Sequence, residues 1–223
     1  VSRKGIIAIV LVAVLAVIGI AYFTLSDQSS GGGSSDGRAG FTLVPTDRTI
    51  GNPKAPVTVI EYGAPSCSIC AYFEQNIFPD LKKNYIDTGK VYYVFRVFPL
   101  RPEDGDAEKM ARCLPEDKYF PFLDLLWRNQ PKWDAAEYPG ITDVHGAMVQ
   151  LGRVAGMSAE QIEQCIANKA EDDRINKVAA EGEQRYHINA TPTFIIDGKL
   201  QPSGALPYAE LSKIIDAELA KKK

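Results

Sequence analysis

The stretch that most constrains this chain of 223 residues runs from Val57 to Cys70. It is a β-branched apolar run, Val57-Thr58-Val59-Ile60, then Glu61-Tyr62-Gly63-Ala64-Pro65-Ser66, then Cys67-Ser68-Ile69-Cys70 opening a helical pattern. Cysteines three apart in a first helical turn put both sulfurs on one side, within the narrow geometry a disulfide allows. Such a pair can open and close reversibly. Cys67 is placed where free backbone N–H groups and the helix dipole favour negative charge, so its thiolate is stabilised and Cys67 is the predicted nucleophile. Cys70, one turn in, is the predicted resolving thiol. The alternatives are a structural disulfide or half of a zinc site. Zinc needs two further ligands, and the chain offers only the separate Cys113 and Cys165 with His145 and His187. No metal or organic cofactor is called for.

Strand, Glu61 six residues ahead of Cys67, turn, Cys-x-x-Cys, helix, and much later Thr191-Pro192-Thr193 before Phe194-Ile195-Ile196 form a specific order. It resembles the thioredoxin fold in its DsbA-like branch, over residues 41 to 223. The resemblance implies an α/β fold with an inserted helical domain and the activity of a thiol:disulfide oxidoreductase. It also implies that Thr191-Pro192 is cis. A cis bond there exposes the Thr191 backbone beside Cys67, where an extended substrate can pair as an added strand. Trans proline at a strand start is the plain alternative. The resemblance puts Glu61 in the place of a buried acid, able to take the Cys70 proton; an exposed strand-end glutamate is the bland reading. Ser68 and Ile69, expected beside substrate, stand where the best-known pattern has Pro-His. Without that imidazole the thiolate loses a positive partner, which predicts a weaker oxidant. Cys113 and Cys165 match cysteines that pair in some DsbA-like relatives, and a second, structural disulfide is expected on that ground. Two buried free thiols are the alternative.

Ile6 to Leu25 carries no charge over a length that can cross a bilayer. Arg3 and Lys4 precede it and no basic residue follows before Arg38, so the positive-inside rule directs the rest of the chain outward. An uncleaved anchor is favoured over a cleaved signal peptide, although Gly19-Ile20-Ala21 offers small residues for cleavage. Gln28 to Gly40 is nearly all Ser and Gly, a flexible tether. The expected organisation is an anchor or signal segment over 1–26, linker over 27–40, thioredoxin fold over 41–101 and 187–223, and inserted helices over 102–186. The expected place is the inner membrane, single-pass, with the catalytic part in the periplasm.

Along the folded part, Phe41-Thr42-Leu43-Val44 reads as an edge strand ended by Pro45 and Val91 to Phe98 as a second βαβ strand. Pro79 is expected to kink the helix that Cys67 opens, which carries Ile69, Tyr72, Phe73, Ile77 and Phe78 at mostly 3–4 spacing, its aromatic residues reading as core. Helices are predicted over 103–114, 119–129, 141–155, 158–167 and 170–186, with a Ser158/Gln161 capping box. Phe120, Leu123, Leu126 and Trp127 read as a packing stripe, and Trp133 falls in a loop. Asp197-Gly198 marks a hairpin whose return begins at Gln201, and a last helix spans 207–219.

Net charge is −3, or −5 without Arg3 and Lys4, which suggests no nucleic-acid partner. The Lys221-Lys222-Lys223 tail reads as a solvated helix end. Expected partners are unfolded or reduced exported proteins, with a quinone-coupled membrane oxidase for reoxidation, or a transmembrane electron donor if the role is reductive. No heptad run argues for a dimer, so a monomer is expected. The competing reading is a non-catalytic chaperone or copper-handling module of the cell envelope, since two thiolates also suit copper.

Overall fold

The computed structural model describes residues 42–222. The candidate membrane segment, the Ser/Gly tether and Phe41 lie outside them. No helix among the described residues is long and apolar enough to cross a membrane.

The sheet contains β1 (Arg48–Ile50), β2 (Val57–Gly63), β3 (Val91–Val97), β4 (Thr193–Ile196) and β5 (Lys199–Leu200), in the order β1-β3-β2-β4-β5. β2 and β3 are parallel and all other pairs antiparallel. Every residue of β2 is buried, as a central strand covered on both faces must be, and this is why its sequence is a continuous apolar run. Side chains alternate across it. Val57 and Val59 join a core with Tyr93, Phe95, Phe194 and the helix that follows β2, while Ile60 and Tyr62 join one with Val94, Val178, Tyr186 and Ile195. Glu61 and Gly63 share the parity of Val57 and Val59, and so face the cysteine helix.

That helix, α1 (Ser68–Asn76), stops at Ile77 and restarts as α2 (Phe78–Leu81) with Pro79 in its first turn, followed by a π-helical turn over Lys82–Ile86. Pro79 lacks an N–H and breaks the ladder where the kink is expected. After β3 come α3 (Pro102–Cys113), α4 (Tyr119–Arg128), α5 (Gln130–Trp133), α6 (Val144–Val154), α7 (Ala159–Ile166) and α8 (Lys169–Tyr186). The Ser158/Gln161 capping box opens α7. α8 lies so close to the sheet that a Cβ at Gly182 would come within 2.7 Å of the Tyr62 ring. α9 (Tyr208–Ala220) closes the described chain.

Three local expectations need correction. Thr42 to Val44 is not a strand; the edge is β1 instead. The Asp47 carboxylate accepts the Val44 N–H, and Arg96 donates to Asp47 and to the Thr42 carbonyl, which holds this segment in a turn over the sheet. Trp133 is in a helix and buried, its indole N–H donating to Leu126 O at 2.9 Å. The hairpin returns at Lys199, not Gln201, because Asp197 (φ 47°) and Gly198 (φ 82°) form a two-residue turn of left-handed backbone. Lys221 and Lys222 of the basic tail pair with Glu218 and Asp197.

Candidate redox site

The N-cap of α1 is Cys67 itself. Its Sγ accepts the Cys70 N–H at 3.1 Å, so a helix end that usually recruits Ser or Asp recruits a sulfur. Cys67 is 7% exposed and Cys70 fully buried, and both are thiols. Cys67 is thus the more accessible sulfur of the two. Ser68 and Ile69 between them are exposed. Tyr72, which reads as core, is 56% exposed, and Ile69, expected beside substrate, is 48% exposed. Tyr72 stands about 100° around the helix from buried Phe73 and so turns outward, whereas Ile69 shares the Phe73 face and is exposed in the first turn.

Thr191-Pro192 is cis, and Cys67 Sγ lies 3.3 Å from the Thr191 carbonyl, to which the thiol donates. Pro192 is buried and Thr191 half-buried. A bond from the Cys70 thiol lowers the Cys67 pKa to about 7; burial opposes this, and the Thr191 side chain and the amides of Cys70 and Ile69 assist. The Thr191 hydroxyl is buried and has no other partner among the described residues. Burial pushes the Cys70 thiol well up, and negative charge on Cys67 and Glu61 pushes it further. The two thiols are therefore shifted in opposite directions, Cys67 toward its thiolate and Cys70 toward its protonated form.

Glu61 is completely buried rather than an exposed strand end. Burial raises its pKa to about 8, against a bond from Tyr93, and charge on Cys67 raises it further. Among the described residues its Oε1 has no hydrogen-bond partner, and a Cβ at Gly63 would come within 2.8 Å of that atom and 2.7 Å of the Phe95 ring. Only glycine leaves the carboxyl its room. The Tyr93 hydroxyl donates to the other oxygen, Oε2.

The loop before Cys67 is held by groups whose role there leaves no signal in the sequence. Asp104 on α3 is buried and accepts the Ser66 N–H and hydroxyl at 2.7 and 2.9 Å, and also the N–H groups of Leu100 and Arg101. Gln130 Nε2 donates to the Pro65 and Cys67 carbonyls at 2.7 and 3.1 Å, and the Trp127 indole donates to Ala64 O at 3.1 Å. Trp127 packs as its stripe predicts but also binds the loop. Their distance in sequence, more than 60 residues for Gln130 and Trp127, leaves no local signal.

Cys113 and Cys165, at the ends of α3 and α7, are joined as a disulfide with Cα atoms 6.1 Å apart. His145 pairs with Glu163 at 2.8 Å and His187 caps α8, so each is engaged away from the cysteine pair.

A family model described as thioredoxin matches residues 43–217. A Rickettsia conorii protein provisionally named a protein-disulfide oxidoreductase is 31% identical over 188 residues, covering 82% of this chain and 64% of the relative. The chain thus spans a little under two thirds of the Rickettsia relative's length. Disulfide bond formation protein D of Bacillus subtilis is 25% identical over 193 residues, with 83% and 82% covered. Among solved structures, alpha-DsbA1 of Wolbachia pipientis superposes with a TM-score of 0.73 at 29% identity, covering 80% of this chain and 94% of that one.

Proposed function

The chain belongs to the thioredoxin family in its DsbA-like form, and on that premise we propose that it forms or exchanges disulfides in exported proteins through Cys67 and Cys70. The observation that carries this reading is the Cys67 sulfur, capping α1 and facing the carbonyl of the cis Thr191-Pro192 bond. In the oxidising direction a substrate thiolate attacks Cys67 of the Cys67–Cys70 disulfide, Cys70 leaves, and a second substrate thiol releases Cys67. In the reverse direction the Cys67 thiolate attacks a substrate disulfide. Thr191 offers its backbone to an extended substrate, with Pro192, Ser68 and Ile69 around it, and Glu61 exchanges a proton with Cys70.

Substrates are reduced or unfolded exported proteins, and the chain itself is held on the oxidising side of the inner membrane by a single N-terminal anchor, with residues 27–40 as tether. Residues 102–186 act as the inserted helical part that buttresses the active-site loop. Reoxidation falls to a quinone-coupled membrane partner. The oxidase direction is favoured, in a weaker form than the strongest oxidants of this fold. Their thiol titrates at about 3.5, far below Cys67 at about 7.

Equilibrating the chain in glutathione buffers tests the direction. A potential between about −120 and −200 mV supports disulfide donation, and a value near about −270 mV replaces it with a reductive role. A Cys67→Ser chain that kept full cellular activity would support the binding-module reading instead.

A further inference from the structure

A cavity of about 270 Å³ opens beside the active-site loop, with Ser66, Arg101, Glu103 and Asp134 on its walls. Ser66 directly precedes Cys67, so the cavity begins one residue from the nucleophile. No step of the exchange described above uses it. Asp134 follows α5 and is 3% exposed. Its Oδ1 accepts from Arg101 Nη1 at 2.7 Å and from the Ala136 N–H at 3.1 Å. Its Oδ2 is buried and has no hydrogen-bond partner among the described residues. Arg101 directs its other terminal nitrogen to Glu137, at 3.3 Å. A buried carboxylate oxygen left without a donor is costly, and folded proteins keep few of them.

The charge around the cavity points to the missing donor. Glu103, in the first turn of α3, has no ion pair or hydrogen bond to its carboxylate among the described residues. Three carboxylates, those of Glu103, Asp134 and Glu137, thus surround the one guanidinium of Arg101, which suits a cation and repels an anion. The rest of the wall is Trp133, Ala135, Ala136 and Val144, an apolar lining that fits the methylene stem of lysine or arginine.

We propose that this cavity is a subsite for a basic side chain of the substrate, a lysine or arginine within three residues of the cysteine that attacks Cys67. The inference rests on the reading of Cys67 and Cys70 as the redox pair acting on protein thiols. The ammonium or guanidinium donates to Asp134 Oδ2 and lies against Glu103, while Arg101 keeps Oδ1. Successive Cα atoms are about 3.8 Å apart and an extended peptide advances about 3.3 Å per residue, so three residues outreach the single step from Cys67 to Ser66. The subsite selects substrate and takes no part in the thiol chemistry.

The test uses the full oxidised chain and reduced two-cysteine peptides that differ only in carrying lysine or uncharged glutamine at one position, scanned over three residues on either side of the first cysteine. The quantity read is the ratio of kcat/KM for lysine over glutamine, in which any general loss of activity cancels. In the wild type it should reach at least about tenfold at one position or two adjacent ones, the range of a charge-assisted hydrogen bond. Asp134→Asn should bring the ratio to near one and Glu103→Gln should lower it. Arg101→Gln, which removes the positive charge from the walls, should raise it. Glu103→Gln breaks no bond of the fold and decides the matter should Asp134→Asn not fold. A ratio near one at every position overturns the subsite, and so does an equal preference at all six, which marks only the general attraction of an acidic chain. A preference that survives both acid variants belongs to the peptide's own thiol and overturns it as well, as does a ratio that falls in Arg101→Gln. A wild-type chain that oxidises the glutamine peptides but ignores lysine refutes the subsite alone, whereas one that leaves every peptide reduced overturns the oxidoreductase reading on which it rests.

Discussion

Cys67 Sγ and the carbonyl oxygen of Thr191 lie 3.3 Å apart although 124 residues separate them. The sheet makes this meeting unavoidable. β2 delivers Cys67 and β4 follows Pro192, and the two strands pair antiparallel with Tyr62 opposite Thr193. The cis bond then turns the Thr191 carbonyl toward the sulfur.

Cys67 should titrate near pH 7, against 9.0 for an ordinary thiol. A lowered thiol pKa favours the reduced chain fully above pH 9, and this gain is lost as pH falls through 7. The reduction potential should therefore fall by about 59 mV per pH unit below pH 7 and about 30 mV above it, as proton uptake drops from two to one per two electrons. Ultraviolet thiolate absorbance and redox equilibria across pH check both figures.

Glu61 holds its proton up to about pH 8, against 4.5 for a free carboxyl. Between those values the folded chain binds more protons than the unfolded one, so stability drops as pH rises. Glu61→Gln should remove the drop, making the variant more stable at pH 8 by on the order of 2–4 kcal/mol and equal to the parent below pH 4.5. Urea unfolding at several pH values measures the gap, and parallel curves would show that Glu61 is not held protonated.

Much of this site was legible in the sequence, and the reason is local chemistry. The apolar run, the turn and Cys67-Ser68-Ile69-Cys70 dictate strand, bend and helix from neighbours alone, and Asp197-Gly198 dictates its own hairpin. Glu61 drew notice by its place in an apolar strand. Tyr93 reads as an ordinary strand aromatic, because only tertiary packing brings its hydroxyl to Glu61. Thr42 to Val44 was misread for a similar reason. Its propensity favours a strand, but Arg96 and Asp47 claim its backbone groups.

Gln130 links the helical region to the loop before Cys67. Gln130→Ala should cost about 1–3 kcal/mol, because the buried Pro65 carbonyl loses its donor. Gln130→Glu should cost more at neutral pH, since its carboxylate faces two carbonyl oxygens. Denaturant midpoints for the two variants give the order.

The Cys113–Cys165 bond closes a separation of 52 residues. Replacing both by alanine should lower stability by about 2–4 kcal/mol, chiefly by freeing the unfolded chain. Unfolding curves of the double variant without reductant, set beside those of the parent, measure it.

The most direct test of the central claim, that Cys67 is the sulfur exchanged with substrate and Cys70 its leaving partner, is covalent trapping in cells. A Cys70→Ser chain cannot expel a partner from Cys67. It should accumulate reductant-sensitive adducts with exported proteins, joined at Cys67 by peptide mass spectrometry, while the Cys67→Ser chain should carry none. Adducts joined at Cys70 in the Cys67→Ser chain, with none at Cys67 in the Cys70→Ser chain, would contradict the account.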